Sequence, residues 1–177
     1  ADSAESLGVK WADPATAPAA SMEASNYSVA LSSAAGALTI ALKDAAGSDP
    51  SASSTSNFGF RSATATSGAF TRLQRDSALS LVISSGSTLG MTSSTATTFQ
   101  IGVVDADGTE ANMALIVSRC TQPEDDLQTI TAEGGAGAAD SNSTIYAASG
   151  HTSRPIRWIA RVHITPTTAG TWDTSDI

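Results

Sequence analysis

The chain has 177 residues and a formal net charge of −8, with charged residues at 15% and aromatic residues at only 5% of the sequence. This length is typical of one domain with short appendages. The acidic balance argues against a nucleic-acid partner, because affinity for a polyphosphate comes mainly from Lys and Arg. No run of roughly 18 to 20 apolar residues predicts insertion into a membrane. The single Cys120 excludes an internal disulfide and indicates a reducing compartment.

The N-terminal stretch ADSAESLGVKW places the large side chain of Trp11 after a run of small and charged residues. This stretch lacks the basic start and apolar core of a signal peptide. It also contains no run of alternating apolar side chains, and we predict that residues 1–25 form an N-terminal connector. The folded domain is predicted over residues 26–177.

Apolar and polar residues alternate along much of the predicted domain, and Gly, Ser, Asp and Pro bound the alternating runs. This alternation is the pattern of a strand with one buried face. The side chains predicted to point inward are Tyr27, Val29, Leu31, Leu38, Ile40, Leu42, Phe58, Phe60, Leu79, Leu81, Ile83, Phe99, Ile101, Val103, Met113, Leu115 and Val117.

Turn and loop signals separate these runs. Asp107-Gly108, within DADGTE, predicts the reversal of an antiparallel strand pair. The stretches GSDPSASSTS and AEGGAGAADSNS are predicted to be loops by composition. With roughly seven to nine strands and almost no helical pattern, we predict an all-β protein with an antiparallel β-sandwich or jelly-roll-like domain.

Patterns that support catalysis are scarce in this sequence. His151 and His163 belong to no HExxH motif, and no GxSxG motif is present, so we predict neither an enzyme nor a bound metal or cofactor. Asp105, Asp107 and Glu110 are close enough in sequence to suggest a calcium loop, but they do not match the EF-hand spacing. A simple hairpin turn is the preferred interpretation. The stretch GGAGA lacks the flanking strand and helix of a phosphate loop.

The stretch RPIRWIARVHIT holds the densest group of basic residues. We predict a strand on which Arg157, Arg161 and His163 line one face. The opposite, buried face carries Ile156, Trp158, Ala160, Val162 and Ile164. One interpretation is a solvated face whose Arg side chains pair with carboxylates such as Asp125 or Asp126. The other is a row of guanidinium groups at a subunit or ligand interface. The candidate interface residues are Trp11, Arg157, Arg161 and His163.

Several blocks of the sequence resemble bacteriophage proteins. ADSAESLGVKWA resembles a short element of tail fibres and related virion proteins, which usually lies where a shaft passes into a distal domain. GALTIALKDAAGSDP, ALSLVISSGSTLG, TAEGGAGAADSNSTIYA and RPIRWIARVHITPTTAGTW resemble a β domain found near the C-terminal ends of many phage structural polypeptides. The resemblance implies a virion component, commonly trimeric, with no catalytic residues to carry over. It also implies a connector whose Trp11 docks at the base of the domain.

Two functions are compatible with this resemblance. One is a tail-fibre or spike-type appendage that attaches to the host, with a host surface saccharide as a partner. The other is a capsid decoration or cement protein. The connector-like start favours the appendage, whereas the scarcity of aromatic rings for stacking against a sugar weakens saccharide binding. Under both hypotheses the protein assembles in the bacterial cytoplasm, lies on the virion exterior and contacts other virion proteins. We expect a homotrimer, because a chain poor in large side chains gains apolar burial by association.

Overall fold

The computed structural model describes residues 24–62, 70–124 and 126–177, and this part of the chain folds as an all-β domain. It contains twelve strands and two single-turn 3-10 helices, Glu110–Asn112 and Thr174–Asp176. In chain order the strands are β1 Ala24–Ser25, β2 Ser28–Ala34, β3 Ala37–Lys43, β4 Ser56–Arg61, β5 Phe70–Arg75, β6 Leu79–Ile83, β7 Thr97–Val104, β8 Ala114–Ser118, β9 Gln128–Ala132, β10 Ile145–Ala147, β11 His151–Arg154 and β12 Ile156–Ile164. There are more strands than predicted, because strands as short as β1 and β10 carry no alternation pattern.

The strands form three sheets that pack as a sandwich. Two sheets have three strands each, in the orders β1-β4-β5 and β2-β3-β6, and the third has six strands in the order β11-β9-β10-β8-β7-β12. A large core lies between the six-stranded sheet and the two small sheets. Leu38 of β3, Phe58 of β4 and Phe99 of β7 are all fully buried in it. The predicted all-β sandwich is therefore confirmed.

The six-stranded sheet curls until its two edges meet. Only Pro155 separates β11 from β12, yet β11 pairs with β9 at one edge of the sheet and β12 pairs with β7 at the other. The backbone N–H of Asp105 donates to the carbonyl of Pro155 at 3.1 Å, which continues the β7–β12 pairing up to this link. The concave side of this curled sheet contains a second buried cluster, formed by Val104, Ile116, Ile130, Ile145, Ala147 and Ile156.

One strand pair departs from the predicted antiparallel arrangement, because β9 and β10 run parallel. A parallel neighbour requires a crossover connection of about a dozen residues. Residues 133–144 provide that connection. The Gly-rich composition of this stretch predicted a loop but gave no signal for the direction of the strand that follows it.

Alternation predicted the buried faces of most strands correctly. Leu38, Ile40 and Leu42 of β3 are fully buried, and their neighbours along the strand are only partly buried. Strand β7 is an exception, because every residue from Phe99 to Val104 is buried. One face of β7 lies in the sandwich core and the other lies inside the curled sheet.

The N-terminal boundary of the folded domain lies slightly earlier than predicted. Strand β1 pairs with β4, with Ala24 opposite Phe58, so two residues of the predicted connector belong to a sheet. Residues 1–23, including Trp11, lie outside the described residues. The predicted docking of Trp11 therefore stays a prediction.

Candidate functional site

The predicted basic stripe on β12 is divided by a β-bulge. The register between β12 and β7 shifts just after Trp158. An extra residue in one strand reverses the face taken by the side chains that follow it. Before the shift, Arg157 lies opposite Val103, which belongs to the sandwich core, whereas Arg161 and His163 after the shift point to the other face and are exposed. The prediction that these three basic residues share one face is wrong.

Arg157 is a buried cation, with only 7% of its surface exposed. Its Nε donates to the carbonyl of Gly59 on β4 at 3.1 Å, and its Nη1 lies 2.5 Å from Oε2 of Glu124. The other oxygen of Glu124 accepts the backbone N–H of Trp158 at 2.6 Å. Glu124 thus neutralises a buried charge and also satisfies a backbone donor at the bulge. This arrangement joins the curled sheet to a small sheet and supports a structural role for Arg157.

One carboxylate that pairs with Arg157, Glu124, carries no signal of its own in the sequence. The sequence predicts Asp125 or Asp126 as partners of the arginines, and for Asp125 this stays a prediction. Asp126 is exposed, and Asp125 lies outside the described residues. The available signal was the acidic stretch PEDD between β8 and β9, whose composition cannot show which carboxylate reaches the arginine.

Arg161 and His163 remain candidates for an interface. Nε of Arg161 lies 3.5 Å from Oε1 of Gln100, at the outer limit of a hydrogen bond. Nδ1 of His163 lies 3.0 Å from Oγ1 of Thr98. Both basic side chains are exposed, so they are accessible to another chain.

Trp158 packs inside the curled sheet and is partly buried there. Its Nε1 donates to the carbonyl of Gln122 at 2.8 Å. The ring lies against Gly102 of β7, where an added Cβ would stand 2.9 Å from Cε3 of Trp158 and 2.6 Å from the carbonyl of Arg157. The structure therefore places Trp158 among apolar side chains, as predicted, but on the face opposite Val162, which lies in the sandwich core.

Glu133 fixes the Gly-rich crossover to the neighbouring loop. Its carboxylate accepts hydrogen bonds from the backbone N–H and hydroxyl of Ser84, the hydroxyl of Ser87 and the backbone N–H of Gly135, at 2.6 to 3.0 Å. Burial alone would raise the pKa of Glu133, but these hydrogen bonds stabilise the ionised form and hold the pKa below its ordinary value. The crossover, which its composition predicts to be a loop, is therefore anchored to a neighbouring loop.

Asp44 and Asp107 also accept hydrogen bonds that hold loops in place. The hydroxyl of Ser54 donates to Asp44 at 2.7 Å, and that bond is the main cause of a lowered pKa at Asp44. The hydroxyl of Thr109 and the amide of Asn112 donate to Asp107 at 2.6 and 2.5 Å, and they lower its pKa. These contacts support the hairpin-turn interpretation of DADGTE over a calcium loop. In the described ranges, no group of three or more His, Cys, Asp or Glu side chains is placed to hold a metal ion.

The outward face of the β4–β5 hairpin combines an exposed aromatic ring with basic side chains. We call the positions Asn57, Arg61, Phe70, Arg72 and Gln74 the β4–β5 outer face. The opposite face of the hairpin carries Phe58, Phe60 and Leu73 into the core. Arg61 lies directly opposite Phe70, and Phe70 is 65% exposed. An exposed ring beside two arginines is thus presented to solvent in an acidic protein.

Neither arginine of the β4–β5 outer face has a hydrogen-bond or ion-pair partner among the described residues. Arg61 and Arg72 are diagonal neighbours on adjacent strands, which places their Cα atoms about 7 to 8 Å apart. Sequence reasoning missed this group, because the two arginines are far apart in sequence and only the hairpin register brings them together.

Comparisons of the chain with family models, with curated proteins and with solved structures gave no match. Among the described residues, no helix is long and apolar enough to cross a membrane.

Proposed function

We propose that the protein is a non-enzymatic structural component of a bacteriophage virion, a tail-fibre or spike-type appendage domain on the outside of the particle that takes part in host attachment. The sequence resemblance to phage structural polypeptides suggests this class. The observation that carries the attachment role is the β4–β5 outer face, where Phe70, Arg61 and Arg72 are presented on a regular hairpin.

The anchoring of the loops supports a structural role. Glu133, Asp44 and Asp107 each use their oxygens to hold a connection between strands. Carboxylates used in this way rigidify loops, because several short hydrogen bonds must break before the loop can move. A rigid sandwich with a polar surface suits a particle exterior, where a domain must keep its shape while it presents a binding surface.

Labelling of intact particles tests the proposed location. Antibodies raised against the purified chain, coupled to gold and viewed by electron microscopy, are expected to label the tail or its fibres. Labelling of the head would contradict the appendage and favour the capsid decoration protein. Particles that carry no label after the same antibodies detect the denatured chain in the particle fraction would place the domain in the interior and contradict both roles.

An adsorption assay tests the attachment role itself. Host cells incubated first with the purified chain are expected to adsorb fewer particles, because the chain occupies the receptor. Serum albumin at the same concentration serves as the control. Unchanged adsorption at a saturating concentration of the chain would contradict attachment through this domain.

A further inference from the structure

We infer that the β4–β5 outer face binds a saccharide that carries a carboxylate group. This inference deepens the proposed attachment role and rests on it for the source of the ligand, which is the polysaccharide of the host surface. It stands on three features of the face: an exposed ring, two arginines that have no partner among the described residues, and a nearby pair of amides.

The exposed ring is suited to a small ligand with an apolar face. Phe70 is 65% exposed, and the other large hydrophobic side chains described as exposed are Val82 at 49% and Ile177 at 45%. Neither of these lies on the β4–β5 hairpin, so the apolar part of the face is a single ring. A stable protein interface buries at least about 1,000 Å² in total. One ring supplies little of that area, but it matches the C–H face of one sugar ring, which packs well on an aromatic surface.

The two arginines specify an anionic group. A guanidinium is planar, and its fork of N–H donors matches the two oxygens of a carboxylate. Arg61 and Arg72 flank Phe70 on the same face, one directly opposite it and one two residues further along β5. A carboxylate on the stacked sugar would neutralise a positive pair for which the described residues provide no counter-ion. The chain as a whole has a net charge of −8 and would repel anions elsewhere on its surface.

The amides extend the polar part of the face along the strands. Nε2 of Gln74 donates to Oδ1 of Asn57 at 2.9 Å, so the two side chains are held side by side. Each amide keeps further donor or acceptor capacity for the hydroxyl groups of a neighbouring sugar. The face is therefore built for a chain of sugars rather than for a single small anion.

Binding of defined polysaccharides by the full chain tests the inference. The probes are polygalacturonate, which has a carboxylate on each sugar, neutral dextran, and dextran sulfate as an anion without carboxylates. We expect binding to polygalacturonate and none to dextran. Phe70→Ala and Arg72→Ala should each weaken binding at least about tenfold, since each removes a direct contact of that order. Val82→Ala and Lys43→Ala are matched controls that remove an exposed apolar group and a cation elsewhere, and they should bind like the wild type.

Three outcomes would overturn the inference. The chain could bind dextran sulfate as tightly as polygalacturonate, or it could fail to bind polygalacturonate. The control variants could also lose as much affinity for polygalacturonate as Phe70→Ala and Arg72→Ala do. A change in the mass of the protein in solution on Phe70→Ala would show that the face contacts a second copy of the chain instead. The failure of this inference differs from failure of the proposed function: tail labelling with no binding to polygalacturonate rejects only the ligand, whereas saccharide binding without particle labelling rejects only the virion role.

Discussion

Glu124 forms an ion pair with the buried Arg157. Its carboxylate is bonded both to Nη1 of Arg157 and to the backbone N–H of Trp158. Replacement by Ala leaves a cation with a side chain only 9% exposed without the carboxylate described beside it, and it also removes the acceptor for a backbone donor. We therefore expect Glu124→Ala to lower the free energy of unfolding by about 3 kcal/mol, as measured by urea denaturation.

The ion pair between Lys43 and Asp49 offers a matched control. These two side chains are 25% and 55% exposed, so solvent screens the charges when either partner is removed. We expect Lys43→Ala to cost no more than about 1 kcal/mol. Equal urea midpoints for Lys43→Ala and Glu124→Ala would show that the buried pair contributes no more than a surface pair.

Glu133 makes the stability of the domain depend on pH. Because its pKa in the folded protein lies below the ordinary value of 4.5, ionised Glu133 stabilises the fold above that value, and this stabilisation is lost as the pH falls through the lower, folded pKa. Glu133→Gln places an amide among donors and should cost about 1 to 3 kcal/mol at pH 7. The difference from the wild type should shrink in urea denaturation at about pH 3. A difference that stays constant between the two pH values would contradict the role of the ionised form.

At the scale of single elements, sequence reasoning succeeded where a strand is regular and has one buried face. The alternation of Leu38, Ile40 and Leu42 predicted the inward face of β3, because nothing interrupts the period of two. The same reasoning failed in β12, where one extra residue reverses the faces beyond Trp158. A β-bulge is fixed by the partner strand and by the packing around it, and neither is visible in a local pattern.

The β4–β5 outer face could not be predicted from the sequence, because it also depends on how two strands pair. Each of Arg61, Phe70 and Arg72 is unremarkable in its own stretch of sequence. Only the pairing of the two strands places them together, with Arg61 opposite Phe70. Strand register is a tertiary property whenever the connecting segment carries no tight-turn signal.

Gly102 accommodates the bulge in β12. A Cβ at this position would stand 2.6 Å from the carbonyl of Arg157 and 3.0 Å from the side chain of Ile116. Because a backbone carbonyl cannot turn away as a side chain can, Gly102→Ala should cost about 1 to 3 kcal/mol in thermal or urea unfolding. Gly150→Ala is the control, since its nearest neighbour, the carbonyl of Ile130, would stand at an ordinary 3.4 Å. If both variants unfold like the wild type, close packing against the bulge is not required.

At the scale of the whole molecule, the structure changes the reasons for expecting a trimer. The scarcity of large side chains suggested that association completes the core. The described chain instead buries two clusters of its own, one in the sandwich and one inside the curled sheet. Burial therefore no longer requires a partner copy, and the expectation of a trimer rests on the sequence resemblance and on the exposed basic residues of β12.

Light scattering of the purified wild-type chain at micromolar concentration measures the assembly directly. We expect a homotrimer, with a mass of about three times the 17.8 kDa of one chain. Arg161 and His163 form the proposed contact, because both are exposed on the face of β12 that points away from the sandwich core. Loss of one partner from a charge pair buried between subunits costs about 3 to 5 kcal/mol, so Arg161→Ala should shift the protein toward monomers while the far-ultraviolet circular dichroism stays unchanged. Arg72→Ala removes an exposed arginine from a different sheet and should keep the wild-type mass. A wild-type mass near 17.8 kDa would contradict the trimer, and a trimer that Arg161→Ala leaves intact would place the interface away from this end of β12.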